Sequence, residues 1–145
     1  MKLTLDANLF VARFREADAA HQDSVAFFEA CERRRIQFFA PVILLGEVAG
    51  ALARIRGESR FGEMAITRIL AHSRLRLRQI DSAFAEVAAR LAARRQIRGA
   101  DALYLALAKE TKTSLVTWEG ELLEQSSAGF RVITPGAWIE ANIDA

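Results

Sequence analysis

Residues 3–10 read Leu3-Thr-Leu-Asp-Ala-Asn-Leu-Phe10. A short apolar run, Leu3 to Leu5, stops at Asp6, and from Asn8 to Phe14 the apolar side chains return at helical spacing. This is a buried strand that ends on a carboxylate and passes directly into a helix. Working outward, the same alternation repeats along the chain. Asp18 to Arg35 reads as a helix with Val25, Phe27, Phe28 and Cys31 inward, and Phe38 to Ala40 as a strand broken by Pro41. Val42 to Arg56 is apolar on nearly every face, the pattern of a well-buried helix. Ser59 is placed to cap a helix over Arg60–Ala71.

Arg74 to Arg78 alternates arginine with leucine at period two. This predicts a half-exposed strand at a sheet edge with its arginines in water, where charge discourages pairing with another chain. Asp81 or Ser82 caps a helix through Ala93, and Ala100 to Lys109 is a strongly apolar helix. Ser114 to Thr117 is a strand, Glu119 to Gln125 a short helix, and Arg131 to Ile133 the last strand. Pro135 opens a final helix at its favoured first position. Strands alternating with helices predict an α/β fold of three layers, α/β/α, around a central parallel sheet of about five strands.

The 145 residues are 52% hydrophobic, with 20 basic and 18 acidic side chains. That suits a single domain over 1–145 that buries about two-thirds of its unfolded surface. It excludes disordered, collagenous and disulfide-scaffold classes. Cys31 is alone, so it forms no internal disulfide and reads as a buried thiol of a cytoplasmic protein. A net charge of +2 gives only weak whole-molecule attraction to nucleic acid. Most of the basic residues are arginine, whose planar fork grips phosphate bidentately. Asp6 interrupts the apolar start too early for a targeting signal. The stretch Ile36 to Ala53 approaches membrane-spanning length but contains Pro41 and Glu47, and a Glu at the bilayer centre costs a few kcal/mol. No membrane segment is expected.

In open parallel sheets, ligands bind beyond the carboxyl ends of the strands. Asp6 follows the first strand, and Glu119 follows the fourth. Asp101 opens the helix after Gly99-Ala100. Glu47 sits one and a half turns into the apolar helix 42–56. Asp6 also reads as a helix cap, Asp101 as an acid favoured by a helix dipole, and Glu119 as an ordinary helix-start residue. Glu47 lies among Val42, Ile43, Leu44, Leu45 and Val48, where an unpaired carboxylate is costly, so it is expected to meet a cation such as an arginine. Four carboxylates on one rim repel one another unless a cation joins them. Oxygen-only ligands select Mg²⁺ or Mn²⁺ over zinc. His21 and His72 are far apart in sequence, and His21 reads as a packing or surface residue. There is no serine or cysteine hydrolase motif and no glycine-rich phosphate loop.

At these residues the chain resembles the PIN domain, the metal-dependent ribonuclease fold of the VapC toxins of bacterial and archaeal toxin–antitoxin pairs. The matching stretches are Leu3–Phe10, Pro41-Val-Ile-Leu-Leu-Gly-Glu-Val48, Arg98-Gly-Ala-Asp-Ala-Leu-Tyr-Leu-Ala-Leu-Ala108 and Leu115-Val-Thr-Trp-Glu-Gly-Glu-Leu122. Their order spans nearly the whole chain, and the Val-Ile-Thr-Pro ending at 132–135 fits too.

The resemblance implies that Asp6, Glu47, Asp101 and Glu119 hold Mg²⁺ or Mn²⁺ and form the catalytic acids, with Asn8 and Thr117 as supporting polar residues. It implies hydrolysis of RNA to 5′-phosphate and 3′-hydroxyl ends, a cognate antitoxin and a homodimer. The chain departs from the pattern at Glu119, where the family usually has Asp. Arg13, Arg15, Arg54, Arg56 and Arg98 are the candidate phosphate guides nearest the quartet in sequence. Trp118 is a core residue or a base-stacking one, and Arg33 to Arg35 compensate a helix C-terminus. The alternative reading is a catalytically weakened PIN-fold module that binds RNA or protein. A receiver domain needs a second acid within residues 3–8, and a haloacid-dehalogenase-type phosphatase needs Asp in place of Asn8.

Overall fold

A computed structural model describes residues 1–143. Asp144 and Ala145, the end of the expected domain, lie outside the described residues. The elements alternate β1 (Lys2–Leu5), α1 (Ala7–Phe14), α2 (His21–Arg33), β2 (Gln37–Pro41), α3 (Leu44–Arg56), α4 (Ser59–Leu70), β3 (Leu75–Arg78), α5 (Ser82–Arg95) and α6 (Gly99–Thr111). They continue with β4 (Ser114–Val116), α7 (Gly120–Leu123), a 3-10 turn (Glu124–Ala128), β5 (Val132–Ile133) and α8 (Pro135–Ala141).

The five strands form one all-parallel sheet in the order β3-β2-β1-β4-β5. The chain therefore starts in the middle, builds outward through β2 and β3, and returns to add β4 and β5 on the other side. Strand order reverses at β1. The carboxyl ends of β1 and β4 consequently flank the crevice where such sheets bind ligands. Helix α6 packs across β1, β2 and β4 with α5 upon it. Across the sheet, α1 packs on α2 and α3, α3 on α4, and α2 on α8. This is the three-layer α/β/α fold expected.

The inner strands β1, β2 and β4 are largely apolar and buried because both faces are covered, whereas the edge strand β3 alternates leucine with arginine. Leu5, Leu9, Leu44, Leu105, Leu115, Val116 and Leu122 are fully buried. An aromatic run, Phe10–Phe28–Phe38 and Phe27–Trp138, fastens α1, α2 and α8 to β2 at ring separations of 5.1 to 5.9 Å. A second cluster of Phe84, Ala88, Ala102, Ala106 and Leu107 joins α5 to α6 through small side chains. Gly62 brings α4 against α3 so closely that a Cβ there would stand 2.5 Å from the Ala49 carbonyl oxygen.

Several local expectations are corrected. Helix α2 starts at His21 rather than Asp18, because Asp18 forms a turn, its carboxylate accepting from the Ala20 N–H at 2.8 Å. Pro41 closes β2 rather than breaking it, in register with Arg78. The N–H groups of Phe38 and of Val42, just past β2, donate to the Arg74 and Arg78 carbonyls on the β3 side. By alternation the missing N–H of Pro41 falls on the β1 side, beyond the last residue paired there. Ser59 is the first residue of α4 and not its cap. Glu58 keeps the extended cap backbone and turns its carboxylate onto Arg60 at 2.8 Å.

Strand β3 does lie at the sheet edge, but Arg78 is not simply in water. It grips Glu110 through two bonds of 2.9 and 3.0 Å, reaches Asp81 at 3.2 Å and covers the Phe84 ring. The short helix expected at Glu119–Gln125 is divided between α7 and the 3-10 turn. Cys31 is fully buried, and burial pushes its thiol up to about 12. His21 Nδ1 bonds the Ala12 carbonyl, tying α2 to α1.

Candidate active site

Asp6 ends β1 and caps α1, its Oδ1 accepting from the Ala7 N–H at 2.7 Å. Its Oδ2 accepts from the Thr117 hydroxyl at 2.7 Å and from Asn8 Nδ2 at 3.3 Å. The fully buried Thr117, just past β4, is a three-way junction. It donates to Asp6 and accepts from Asn8 Nδ2 at 3.2 Å and from the Glu119 N–H at 2.9 Å. Asn8 Oδ1 in turn accepts from the Trp118 N–H. The Asn8–Thr117 pair thus locks the ends of β1 and β4 together and aims Asp6. Asn8 and Thr117, the two supporting polar positions of the sequence, both hydrogen-bond Asp6.

Asp6, Glu47, Asp101 and Glu119 line one open cleft of about 450 Å³ together with Asn8, Asp18, Arg54 and Arg98. Five carboxylates face two arginines across that volume. Burial is the main cause that raises Asp6 to about 6, and the charges of Glu47 and Asp101 add to it. The hydrogen bonds from Thr117 and Ala7 work against that rise but do not cancel it. Burial likewise raises Asp101, opposed by the guanidinium of Arg98. The cleft is therefore short of positive charge at its buried end.

Glu47 is half-buried, and its partner is not an arginine. The Tyr104 hydroxyl donates to Glu47 Oε1 at 2.6 Å. A neutral donor suffices because the carboxylate keeps one side open to the cleft. Arg98 spans the mouth, 3.4 Å from Asp101, 3.9 Å from Glu119 and 4.0 Å from Glu121.

Of the five arginines proposed to guide phosphate, Arg54 and Arg98 line the cleft. The other three do not. Arg13 lies over the Phe28 ring in a groove with Phe10, Phe14 and Arg68, Arg15 turns to Asp18, and Arg56 stacks on Phe61. Arg13 and Arg56 face other grooves from the far sides of their helices, whereas Arg15 stays beside the cleft through Asp18 without lining it. Trp118 packs against the core and donates its indole N–H to Ser24 at 3.0 Å.

Two residues escaped the sequence reading, Tyr104 behind the cleft and Asp18 in its lining. Tyr104 stands three positions after Asp101, on the same face of α6, and that spacing was the available signal. Asp18 reaches the cleft from the loop after α1, and no sequence pattern marked it.

A protein-family model described as PIN domain matches residues 3–125. The chain belongs to the PIN domain family. No curated protein matches it. Among solved structures, this PIN domain superimposes on VapC20 of Mycobacterium tuberculosis, a sarcin-ricin loop cleaving toxin, with a TM-score of 0.74 at 20% identity. The match covers 88% of this chain and 95% of that one. It also superimposes on VapBC2 from Rickettsia felis, bound to a promoter DNA fragment, with a TM-score of 0.69 at 14% identity, covering 92% and 98%. A toxin–antitoxin complex from Klebsiella pneumoniae gives 0.64 at 21% identity, covering 92% and 97%.

Among the described residues, no three His, Cys, Asp or Glu side chains close around a point as a metal shell does. The donor set nonetheless fits a hard divalent ion in kind. It is all carboxylate oxygen, it lines one cleft, and Asp6 feels the charges of Glu47 and Asp101.

Proposed function

We propose that this PIN domain is a Mg²⁺- or Mn²⁺-dependent endoribonuclease working as the toxin of a toxin–antitoxin pair, with Asp6, Glu47, Asp101 and Glu119 as its metal-holding acids. The observation that carries this reading is the convergence of four carboxylates, from four separate elements, on the cleft at the point where strand order reverses. A divalent ion bound there supplies positive charge that activates water and stabilises the charge growing on the phosphate.

The chain's own residues do the positioning. Thr117 and Asn8 aim Asp6, Tyr104 holds Glu47, and Arg54 and Arg98 at the cleft wall meet the RNA backbone. In the reaction a water oxygen bonds to phosphorus and the P–O3′ bond breaks. The leaving oxygen takes a proton, giving 5′-phosphate and 3′-hydroxyl ends.

The toxin role draws on the structural neighbours, which include toxin–antitoxin complexes. The reading extends to a cytoplasmic protein that pairs with itself and with an antitoxin. Ile55 and Met64, half-exposed on α3 and α4, offer apolar surface for such contacts. No described helix is long and apolar enough to cross a membrane. A second reading, binding without cutting, draws on Glu119, whose side chain is 37% exposed and leans toward Arg98.

Purified protein incubated with total RNA in Mg²⁺ or Mn²⁺, and in EDTA, separates the two readings. Cleavage that requires the metal, yields 5′-phosphate ends and is lost in Asp6→Asn and Asp101→Asn supports the nuclease. RNA retained uncut under every condition supports the binding module.

A further inference from the structure

Arg98 stands at the N-cap of α6, and its side chain caps nothing. The connector from α5 is three residues long. Gln96 turns it in the left-handed conformation, at φ 54°, and Ile97 packs against both core clusters. The Arg98 backbone is thereby fixed while its side chain is 70% exposed.

From this anchor the guanidinium leans over three carboxylates. Nε lies 3.4 Å from Asp101 Oδ2, and Nη2 lies 3.9 Å from Glu119 Oε1 and 4.0 Å from Glu121 Oε2. Arg78 shows what commitment looks like in this chain, with two bonds of 2.9 and 3.0 Å to a single carboxylate. Arg98 has no such grip on any of its three partners. It is a shared charge, held loosely from its own exposed end over a largely buried Asp101 and the more open Glu119 and Glu121, and a long side chain exposed in this way gains little from such contacts.

Two of its partners, Asp101 and Glu119, belong to the quartet proposed to hold the metal. The third, Glu121, does not line the cleft. Arg98 and a divalent ion therefore call on the same oxygens. We propose that Arg98 is an exchangeable counter-cation of the active site. It neutralises Asp101 and Glu119, yields their oxygens to the divalent ion, and moves toward Glu121 and the cleft mouth, where its fork takes an RNA phosphate. The inference rests on the metal-dependent cleavage proposed above.

Competition and delivery give opposite signs for one substitution. Removing a competing cation tightens metal binding, whereas removing a phosphate ligand weakens RNA binding and its salt dependence. A merely structural role for Arg98 does not produce that pair. In the full chain, Arg98→Gln is expected to bind Mn²⁺ three- to tenfold more tightly than the wild type, read from the free-Mn²⁺ electron paramagnetic resonance signal without RNA. The probe for RNA is a mixed-sequence single-stranded 20-mer, with Ca²⁺ as the divalent ion. Arg98→Gln is expected to bind it three- to tenfold more weakly, with a slope of log affinity against log salt shallower by about 0.7. Arg98→Lys keeps the charge and is expected to bind Mn²⁺ as the wild type does while losing part of the RNA affinity.

Unchanged or weaker Mn²⁺ binding by Arg98→Gln, or unchanged RNA binding, overturns the proposal. If Asp6→Asn abolishes Mn²⁺ binding but Arg98→Gln leaves it unaltered, only the role of Arg98 fails. If the wild type binds no Mn²⁺, the proposed function fails with it.

Discussion

The Tyr104 hydroxyl donates a 2.6 Å hydrogen bond to Glu47 Oε1 and so joins α6 to α3 beside the cleft. Tyr104 is almost wholly buried, and burial together with the Glu47 charge pushes its phenol pKa up. It is a fixed donor, not an acid. Asp101 and Tyr104 share one face of α6, so a single helix contributes one carboxylate to the cleft and the strut for another.

Tyr104→Phe removes the strut and keeps the ring. The core contacts remain, and the loss of one hydrogen bond is expected to cost about 1 kcal/mol in urea unfolding. Cleavage should fall about tenfold, because Glu47 loses the partner that orients it and then samples several rotamers. Equal cleavage rates for the variant and the wild type in a Mn²⁺-supported assay would remove Tyr104 from the site.

Thr117→Val leaves Asp6 Oδ2, Asn8 Nδ2 and the Glu119 N–H without their common partner. The expected destabilisation is about 1–3 kcal/mol, since these groups are buried or half-buried. Thr117→Ser keeps the hydroxyl and should retain most of the cleavage that Thr117→Val loses. Thermal unfolding and cleavage measured on both variants separate the hydroxyl from the methyl group.

The raised pKa of Asp6 makes stability depend on pH. In the unfolded chain the group titrates near 3.8, and in the folded chain near 6. Folding therefore favours the protonated form. The associated stability is fully present below pH 3.8 and is lost as pH rises through 6. For a shift of this size the loss is about 3 kcal/mol at most. Melting in EDTA is expected to drop across that window for the wild type and to drop less for Asp6→Asn. At pH 7.5, Mn²⁺ should raise the wild-type melting temperature and leave Asp6→Asn unmoved.

Glu119 reaches outward far enough to lie 3.9 Å from Arg98. Glu119→Asp is shorter by one methylene, gives up that contact and holds its oxygens nearer Asp6 and Thr117. The expected result is a several-fold lower Mn²⁺ requirement for cleavage, read from a metal titration of rate. A higher requirement would mean that Glu119 needs its length.

Much of this molecule is legible from pattern. Leu3–Leu5 ending at Asp6 fixes the central strand and its rim, and the Arg74–Arg78 alternation marks the sheet edge. Asp6, Asp101 and Glu119 stand out because each follows a strand end or opens a helix on one rim, and Glu47 because it is a carboxylate inside an apolar helix. What escaped depends on three-dimensional facing. Tyr104 looks like one more core residue of an apolar helix until α3 is placed beside it. Asp18 reaches the cleft only through the turn after α1. Arg13 and Arg56 are near the acids in sequence, yet they stack on Phe28 and Phe61 in other grooves. Glu58 and Ser59 show a smaller effect of the same kind, where a salt bridge replaces the expected cap.

The most direct test of the central claim is a transcriptome-wide map of RNA 5′-monophosphate ends in cells expressing the wild type or Asp6→Asn. New ends at one or a few sites with the wild type, absent with the variant, are predicted. Identical end profiles for the two proteins, with both expressed and folded, would contradict cleavage by the acidic quartet.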